Sequence, residues 1–275
     1  MTTHQDTTPR ADCASDADGR ITFRLTAVPD GRPRLLLRPR PRKGRPEQAP
    51  LHLDLAPDAA DGRPHAVLEP HPALAEGRWD LYLLPEPGAD PQRLRPGLRD
   101  LRALVDGQLR DRPAPVAVRI PYVTKDGFLA LRTWLRTAHA EARSLQVADG
   151  TITVAARLHG TDLDESATAR LRLRGTDTVR DVRPRIDGDG RDFSFTVAPR
   201  DLADGAAPAG RVWDVFVRPA AEAPPVRLGR LLDDVADRKH VHVFPAITAE
   251  GSVLRPYYTV DNDLAIEETP DDSPK

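Results

Sequence analysis

Pro121-Tyr-Val-Thr-Lys-Asp-Gly-Phe-Leu-Ala-Leu131 and Pro256-Tyr-Tyr-Thr-Val-Asp-Asn-Asp-Leu-Ala-Ile266 are one stretch written twice, 135 positions apart, with six of eleven residues identical. Each copy holds an apolar run, a polar turn centred on Asp126-Gly127 or Asp261-Asn262, and a second apolar run. That is how a tight β-hairpin is written, because Gly and Asn enter positive φ at little steric cost. The repetition predicts a chain made by duplicating one β unit.

Working outward, Gly77-Arg-Trp-Asp-Leu-Tyr-Leu83 is answered by Gly210-Arg-Val-Trp-Asp-Val-Phe-Val217. Alternation puts Trp79, Leu81 and Leu83 on one strand face, and likewise Trp213, Val215 and Val217. A lone Trp heading a central strand reads as a core anchor; the competing reading is a platform for stacking a sugar. The Trp-Asp pair is no propeller signature, since propeller repeats run about 40–45 residues and are numerous. Pro85 and Pro219 end the two strands, and Arg95/Gly97 is matched with Arg227/Gly229. Before them, Asp18-Gly19 leads into Ile21, Phe23, Leu25 and Ala27, as Asp149-Gly150 leads into Ile152, Val154, Ala156 and Leu158. These are period-two strands. Leu35–Leu37 and Leu171/Leu173, then Leu51, Leu53 and Leu55, Ala66–Leu68, and Phe193, Phe195 and Val197 supply further strands. Leu98–Leu109 and Leu231–Arg238 carry enough helical spacing for short crossover helices.

About seven short strands in a unit of roughly 120 residues, with turn signals throughout, predict an all-β protein. The expected architecture is two tandem immunoglobulin-like antiparallel β-sandwiches, without the cysteine pair of antibody domains. The boundaries read as a disordered tail at 1–17, a first sandwich at 18–134, a linker at 135–148, a second sandwich at 149–268 and an acidic tail at 269–275.

Composition narrows the class. Forty Lys and Arg against 42 Asp and Glu leave a formal charge of −2, which argues against a dedicated nucleic-acid binder. Lysine occurs only at Lys43, Lys125, Lys239 and Lys275, and 28 prolines are present, a bias of coding rather than of function. Cys13 is the single cysteine, so neither a disulfide framework nor a Cys-based zinc site is expected, and its acidic N-terminal setting makes it incidental. No stretch has the charge and apolar order of a signal peptide or the length of a membrane span, so a cytoplasmic protein is expected.

The segments Gly210–Val217, Arg227-Leu-Gly-Arg230 and Leu254–Ile266 resemble the accessory β-sandwich region of bacterial wall-polymer transferases. Those are the glycosyltransferases and CDP-glycerol glycerophosphotransferases of the teichoic-acid type. The resemblance spans residues 18–268 and rests on structural motifs. It implies an appendage or partner of a transferase rather than its catalytic module, and it transfers no catalytic residue.

The residues themselves offer little chemistry. A nucleotide-sugar transferase needs parallel βαβ units and an Asp-x-Asp metal site at a strand end. Asp187-Gly-Asp189-Gly190 starts like a calcium loop but lacks the later acidic ligands, and its glycines suit a hairpin. Asp261-Asn-Asp263 sits in the repeated turn. His240 and His242 would share a strand face as half a metal site, or simply as a solvated edge. Ser144, Ser166, Ser194 and Ser252 lack the context of a nucleophile elbow. Neither a metal nor a cofactor is expected.

Two features point to binding. Arg32, Arg34, Arg38, Arg40, Arg42, Lys43 and Arg45 follow one another with no acid between them, and Pro39 and Pro41 alternate with the arginines. Proline excludes a central strand, so the strip belongs on an edge or loop. It is either a solubilising edge or a strip for polyol-phosphate chains and acidic headgroups, with Arg38, Arg40 and Arg42 as its contacts. The second feature is Trp134, which alternation places with Arg132 and Arg136, opposite Leu129 and Leu131. Being next to the linker, it packs between the two sandwiches or stacks on a sugar. The expected function is therefore a non-catalytic accessory module of a wall-polymer transferase, binding a polyanionic acceptor, the partner enzyme or the inner membrane surface. The alternatives are a transferase with unrecognised catalytic residues and an interaction module for protein alone.

Overall fold

The computed structural model describes residues 8–26, 29, 31–44, 46–202, 210–249 and 251–271. Ala27 of the first expected strand, Arg45 of the basic strip and the ends 1–7 and 272–275 lie outside the described residues. The chain divides into two compact units: Met1–Arg110 with Ala117–Leu135 and Leu232–Ala236, and Asp111–Val116 with Arg136–Leu231 and Asp237–Lys275.

The first half of the chain carries β1 (Arg10–Ser15), β2 (Ile21–Leu25), β3 (Arg34–Pro39), β4 (Leu51–Asp54), β5 (Ala56–Pro57) and β6 (Pro64–Leu68). It continues with β7 (Gly77–Leu84), β8 (Gln92–Arg93), β9 (Arg95–Asp100), α1 (Arg102–Asp106), β10 (Val116–Val123) and β11 (Leu129–Arg136). One sheet runs β5-β6-β2-β1-β9 and the other β10-β11-β7-β3-β4, with β8 added to β7. The expected alternation decides which faces meet. Ile21, Phe23 and Leu25 from one sheet and Leu35, Leu37, Trp79, Leu81, Leu83, Leu129 and Leu131 from the other close into one core. Its side chains are almost wholly withdrawn from water, which is the main favourable term for a unit of this size.

The second half carries β12 (His139–Ala148), β13 (Thr151–His159), β14 (Thr168–Leu173), β15 (Val179–Val182), β16 (Arg185–Asp187) and β17 (Asp192–Val197). Then come α2 (Pro199–Leu202), β18 (Arg211–Arg218), β19 (Val226–Gly229), β20 (Ile247–Ala249), β21 (Ser252–Tyr258) and β22 (Leu264–Pro270). The strands form one hydrogen-bonded network, β16-β17-β13-β12-β19-β18-β22-β21-β20, with β14 on β18 and β15 on β14. β19 joins its halves, parallel to β12 at Leu228 and antiparallel to β18 at Arg227. Taken strand by strand, β16-β17-β13-β12-β19 has the order of β5-β6-β2-β1-β9, and β21-β22-β18-β14-β15 that of β10-β11-β7-β3-β4. The turns also agree. Thr124 N donates to Phe128 O and Gly127 N to Thr124 O; Thr259 N donates to Asp263 O and Asn262 N to Thr259 O. Gly127 and Asn262 both take positive φ, 79° and 60°.

Several expectations change. The stretch 1–17 is not a tail throughout: Arg10–Ser15 is β1, paired along its length with β2, and Ala11 and Cys13 are buried. Its inward side chains are small, so the segment reads as polar although it completes a sheet. The linker expected at 135–148 is largely β12, which pairs with β13 from His139↔His159 to Ala148↔Thr151 and kinks at a bulge after Ala142. There Ala140 and Ala142 face the core while His139 and Glu141 are buried on the opposite side, hiding the alternation. The second expected helix, Leu231–Arg238, is an irregular segment that buries Leu231 and Arg238. His240 and His242 lie in a turn rather than on a strand. The acidic tail starts late, since Thr269 and Pro270 still pair with Val253 and Ser252.

Candidate functional site

The basic strip begins inside a sheet, not on an edge or loop. β3 lies between β7 and β4, but its pairing with β4 stops at Leu37, so Arg38 and Pro39 are bonded on the β7 side alone. Proline is tolerated there because no second ladder asks for its missing N–H. The backbone N–H of Arg40 extends the β7 ladder by donating to Arg78 O at 2.8 Å.

On β7 the residues between the core anchors point outward: Trp79, Leu81 and Leu83 are buried, while Asp80 and Tyr82 face the strip. Asp80 is the centre of the cluster. Arg40 grips its carboxylate with two hydrogen bonds, Nη2 to Oδ1 at 2.6 Å and Nε to Oδ2 at 2.9 Å, and Arg93 Nη2 adds a third at 3.1 Å. The hydrogen bond to Asp80 is the chief reason that the Arg40 guanidinium is held above its ordinary basicity. Arg38, opposite Asp80 in register, instead lays its guanidinium 5.0 Å from the centre of the Tyr82 ring. It is exposed, and among the described residues no carboxylate pairs with it. On the other flank Arg93 and Arg95 both stack on Phe128, at 4.2 and 4.6 Å. Arg40 and Arg93 thus bind the one carboxylate, Arg38 lies opposite it in register, and Arg95 joins the cluster through Phe128.

Arg42 follows in an exposed segment beyond the strand. A shallow cleft at the opposite end of β3 includes Arg32 and Arg34, and Arg34 is spent on Asp54 at 2.8 Å. Trp134 is not part of this surface. The residue is 1% exposed, with the Arg132 guanidinium 4.9 Å from the ring centre, so it has no open face for a sugar. The residues that the strip's composition did not reveal are Asp80, Tyr82, Arg93, Arg95 and Phe128. The first two were legible as the outward positions of the Trp79 strand.

Other polar groups are structural. The Asp187-Gly-Asp189-Gly190 segment turns between β16 and β17, with Gly188 and Gly190 at φ 59° and 76°, and Asp189 is bound by Arg157 at 2.7 Å. Arg157 also holds Asp111 and Asp192, at 2.8 and 2.6 Å. His139, Glu141 and His159 form a buried set in which Glu141 Oε2 lies 2.7 Å from His139 Nε2 and accepts the Leu231 N–H at 2.8 Å. His159 Nδ1 accepts the Arg112 N–H at 3.3 Å, which specifies the neutral ring. Burial, with a smaller push from His139, lowers its pKa to about 4. Among the described residues no group of three or more His, Cys, Asp or Glu is placed to hold a metal ion, and no helix is long and apolar enough to cross a membrane.

No family model and no curated protein matches this sequence. Among solved structures the chain is similar to S. aureus TarS 217-571, at 17% sequence identity and a TM-score of 0.30, over 70% of this chain and 57% of that one. It is also similar to S. aureus TarS, at 16% identity and a TM-score of 0.30, over 74% of this chain and 37% of that one. The chain spans less than two thirds of either.

Proposed function

We propose that the protein is a non-catalytic tandem β-sandwich module that binds a phosphodiester polymer of the polyol-phosphate kind. In this reading it serves a wall-polymer transferase as an appendage or partner at the inner face of the membrane. The observation that carries the proposal is Arg38: a guanidinium stacked on Tyr82, exposed, and left without a carboxylate because Asp80 is already occupied by Arg40 and Arg93. Stacking leaves the planar edge of a guanidinium, and its hydrogen-bond donors, free for phosphate oxygens. Asp80 meanwhile fixes its neighbours, so the site loses little side-chain entropy on binding. The sequence resemblance at 210–217, 227–230 and 254–266 supports the choice of polymer.

The test is fluorescence anisotropy of the full chain with labelled polyglycerol phosphate. Arg38→Gln should weaken binding by about tenfold or more, as expected for loss of a charge-assisted hydrogen bond worth roughly 1.5–3 kcal/mol. Binding should also fall as salt rises, since exposed charges are screened over about 8–10 Å at physiological ionic strength. Unchanged affinity in Arg38→Gln would overturn the assignment of the site. Turnover of CDP-glycerol or a nucleotide sugar by the purified chain alone would overturn the non-catalytic reading.

A further inference from the structure

We infer that the second unit carries its own phosphate-binding site, centred on Arg172, which no feature of the Arg32–Arg45 strip announces. The inference rests on the anion-binding reading of Arg38 and extends it to residues 134 positions further on.

The geometry repeats. Arg172 lies opposite Asp214 in the β14–β18 register, as Arg38 lies opposite Asp80. Its guanidinium is 4.9 Å from the centre of the Phe216 ring, and Phe216 stands where Tyr82 stands in β7. Arg172 is exposed, and among the described residues no carboxylate pairs with it. Asp214 is occupied as Asp80 is: Arg174 Nη2 donates to its Oδ1 at 2.6 Å and Arg227 Nη2 to the same oxygen at 2.8 Å. Arg174 N donates to Val212 O at 2.8 Å, the counterpart of Arg40 N to Arg78 O. Arg227 faces Phe216 in register as Arg93 faces Tyr82, so the structural partner of Arg227 is Arg93 and not Arg95, as the Arg-x-Gly spacing had indicated.

Conserving a strand needs only its inward apolar positions. Here the outward side chains repeat as well: an arginine over an aromatic ring, and an aspartate gripped by two further arginines. Burial by itself does not ask for that set, whereas an anion that needs an open guanidinium edge does. The two sites differ in two respects. Arg227 lies 4.8 Å from the centre of the Phe216 ring, so that ring meets both Arg172 and Arg227, whereas its counterpart Arg93 lies over Phe128. Phe128, sandwiched by Arg93 and Arg95, is replaced at the same turn position by Asp263, which binds Arg136 at 2.9 Å and approaches Arg227 at 3.5 Å. The second cluster therefore sets Arg136, Arg172, Arg174 and Arg227 against two carboxylates rather than one, and it should hold phosphate more weakly than the first.

The experiment follows the arginine Nε–H signals of the full chain by NMR, assigned with Arg38→Gln and Arg172→Gln. The probes, used separately, are glycerophosphoglycerol, inorganic phosphate and phosphatidylglycerol vesicles. With glycerophosphoglycerol both signals should move, the Arg172 signal saturating at a several-fold higher concentration. Arg172→Gln should abolish the weaker process and leave the stronger one unchanged. Movement with inorganic phosphate alone would support a terminal phosphate as the ligand, and movement with vesicles alone a lipid headgroup. If the Arg38 signal moves and the Arg172 signal stays still with every probe, the second site is overturned and the first stands. If only Arg172 responds, the second site stands and the strip reading fails; if neither responds, both fail. Arg200→Gln removes another exposed charge elsewhere in the unit. A loss there as large as that in Arg172→Gln would reduce the effect to general charge and overturn the site.

Discussion

At the scale of single residues, Trp79 and Trp213 are each held both by packing and by a partner for the indole N–H, and the partners differ. Trp79 Nε1 donates to Thr133 Oγ1 at 3.2 Å, whereas Trp213 Nε1 donates to the buried carboxylate of Glu268 at 2.9 Å. Replacing either tryptophan by Ala should cost about 3–5 kcal/mol, the range for deleting a large buried aromatic. Trp213→Phe keeps most of the apolar bulk but leaves Glu268 one donor short, and should cost about 1–3 kcal/mol. Denaturant midpoints check both; an unchanged midpoint in the Ala variants would return the sugar-platform reading. His159 gives a pH prediction. Its folded pKa, about 4, lies below the ordinary value of 6.5, so the buried neutral ring contributes stability above pH 6.5. That contribution is lost as pH falls from about 6.5 through about 4, where the unfolded chain takes up a proton that the folded chain refuses. The full difference is roughly 3 kcal/mol at 1.36 kcal/mol per pKa unit. His159→Asn should flatten stability across that window, measured by thermal melts between pH 4 and 7.

At the scale of elements, β1 and β12 show how a strand forms without a strand-like sequence. Cys13 sits on β1 between β2 and β9, 3% exposed, and burial pushes its thiol up to about 12. It should therefore stay unmodified by a thiol reagent at pH 8 in the native protein and react at once after denaturation. Rapid labelling of the folded chain would mean that β1 is not docked. β3 gives the complementary lesson. Its Pro39 argues against a central strand, yet the strand is interior for four residues and becomes one-sided at Arg38, one residue before the proline. The sequence rule held locally, and what it could not supply was the length of β4. Arg157, three carboxylates around one guanidinium, ties β13 to the β16–β17 turn and to Asp111. Its carboxylate partners remain partly hydrated, so Arg157→Met should lower the unfolding free energy by about 1–3 kcal/mol rather than by the larger cost of breaking a fully buried pair.

At the scale of the whole molecule, the two cores share no residue: one is gathered around Trp79 and the other around Trp213. Limited proteolysis near the denaturation midpoint should then show Trp79→Ala exposing cleavage sites first within residues 1–110, and Trp213→Ala first within 136–231. Identical fragment patterns would mean that the units unfold as one. The formal charge of −2 hides the basic clusters, because 42 acids and 40 bases are arranged so that some arginines are paired with carboxylates while Arg38 and Arg172 lie over rings. By itself the sequence determined the all-β class, the repeated hairpin and the strand faces of Trp79 and Trp213, since alternation and turn chemistry are read over a few neighbouring residues. Only the tertiary structure decided that Arg10–Ser15 and His139–Ala148 are strands, that Trp134 is buried, that Arg93 rather than Arg95 matches Arg227, and that Arg172 stands beside Asp214 and Phe216. Those facts depend on pairing between segments distant in sequence, where register sets which side chains meet, and a shift by one residue would turn each of them to the other face.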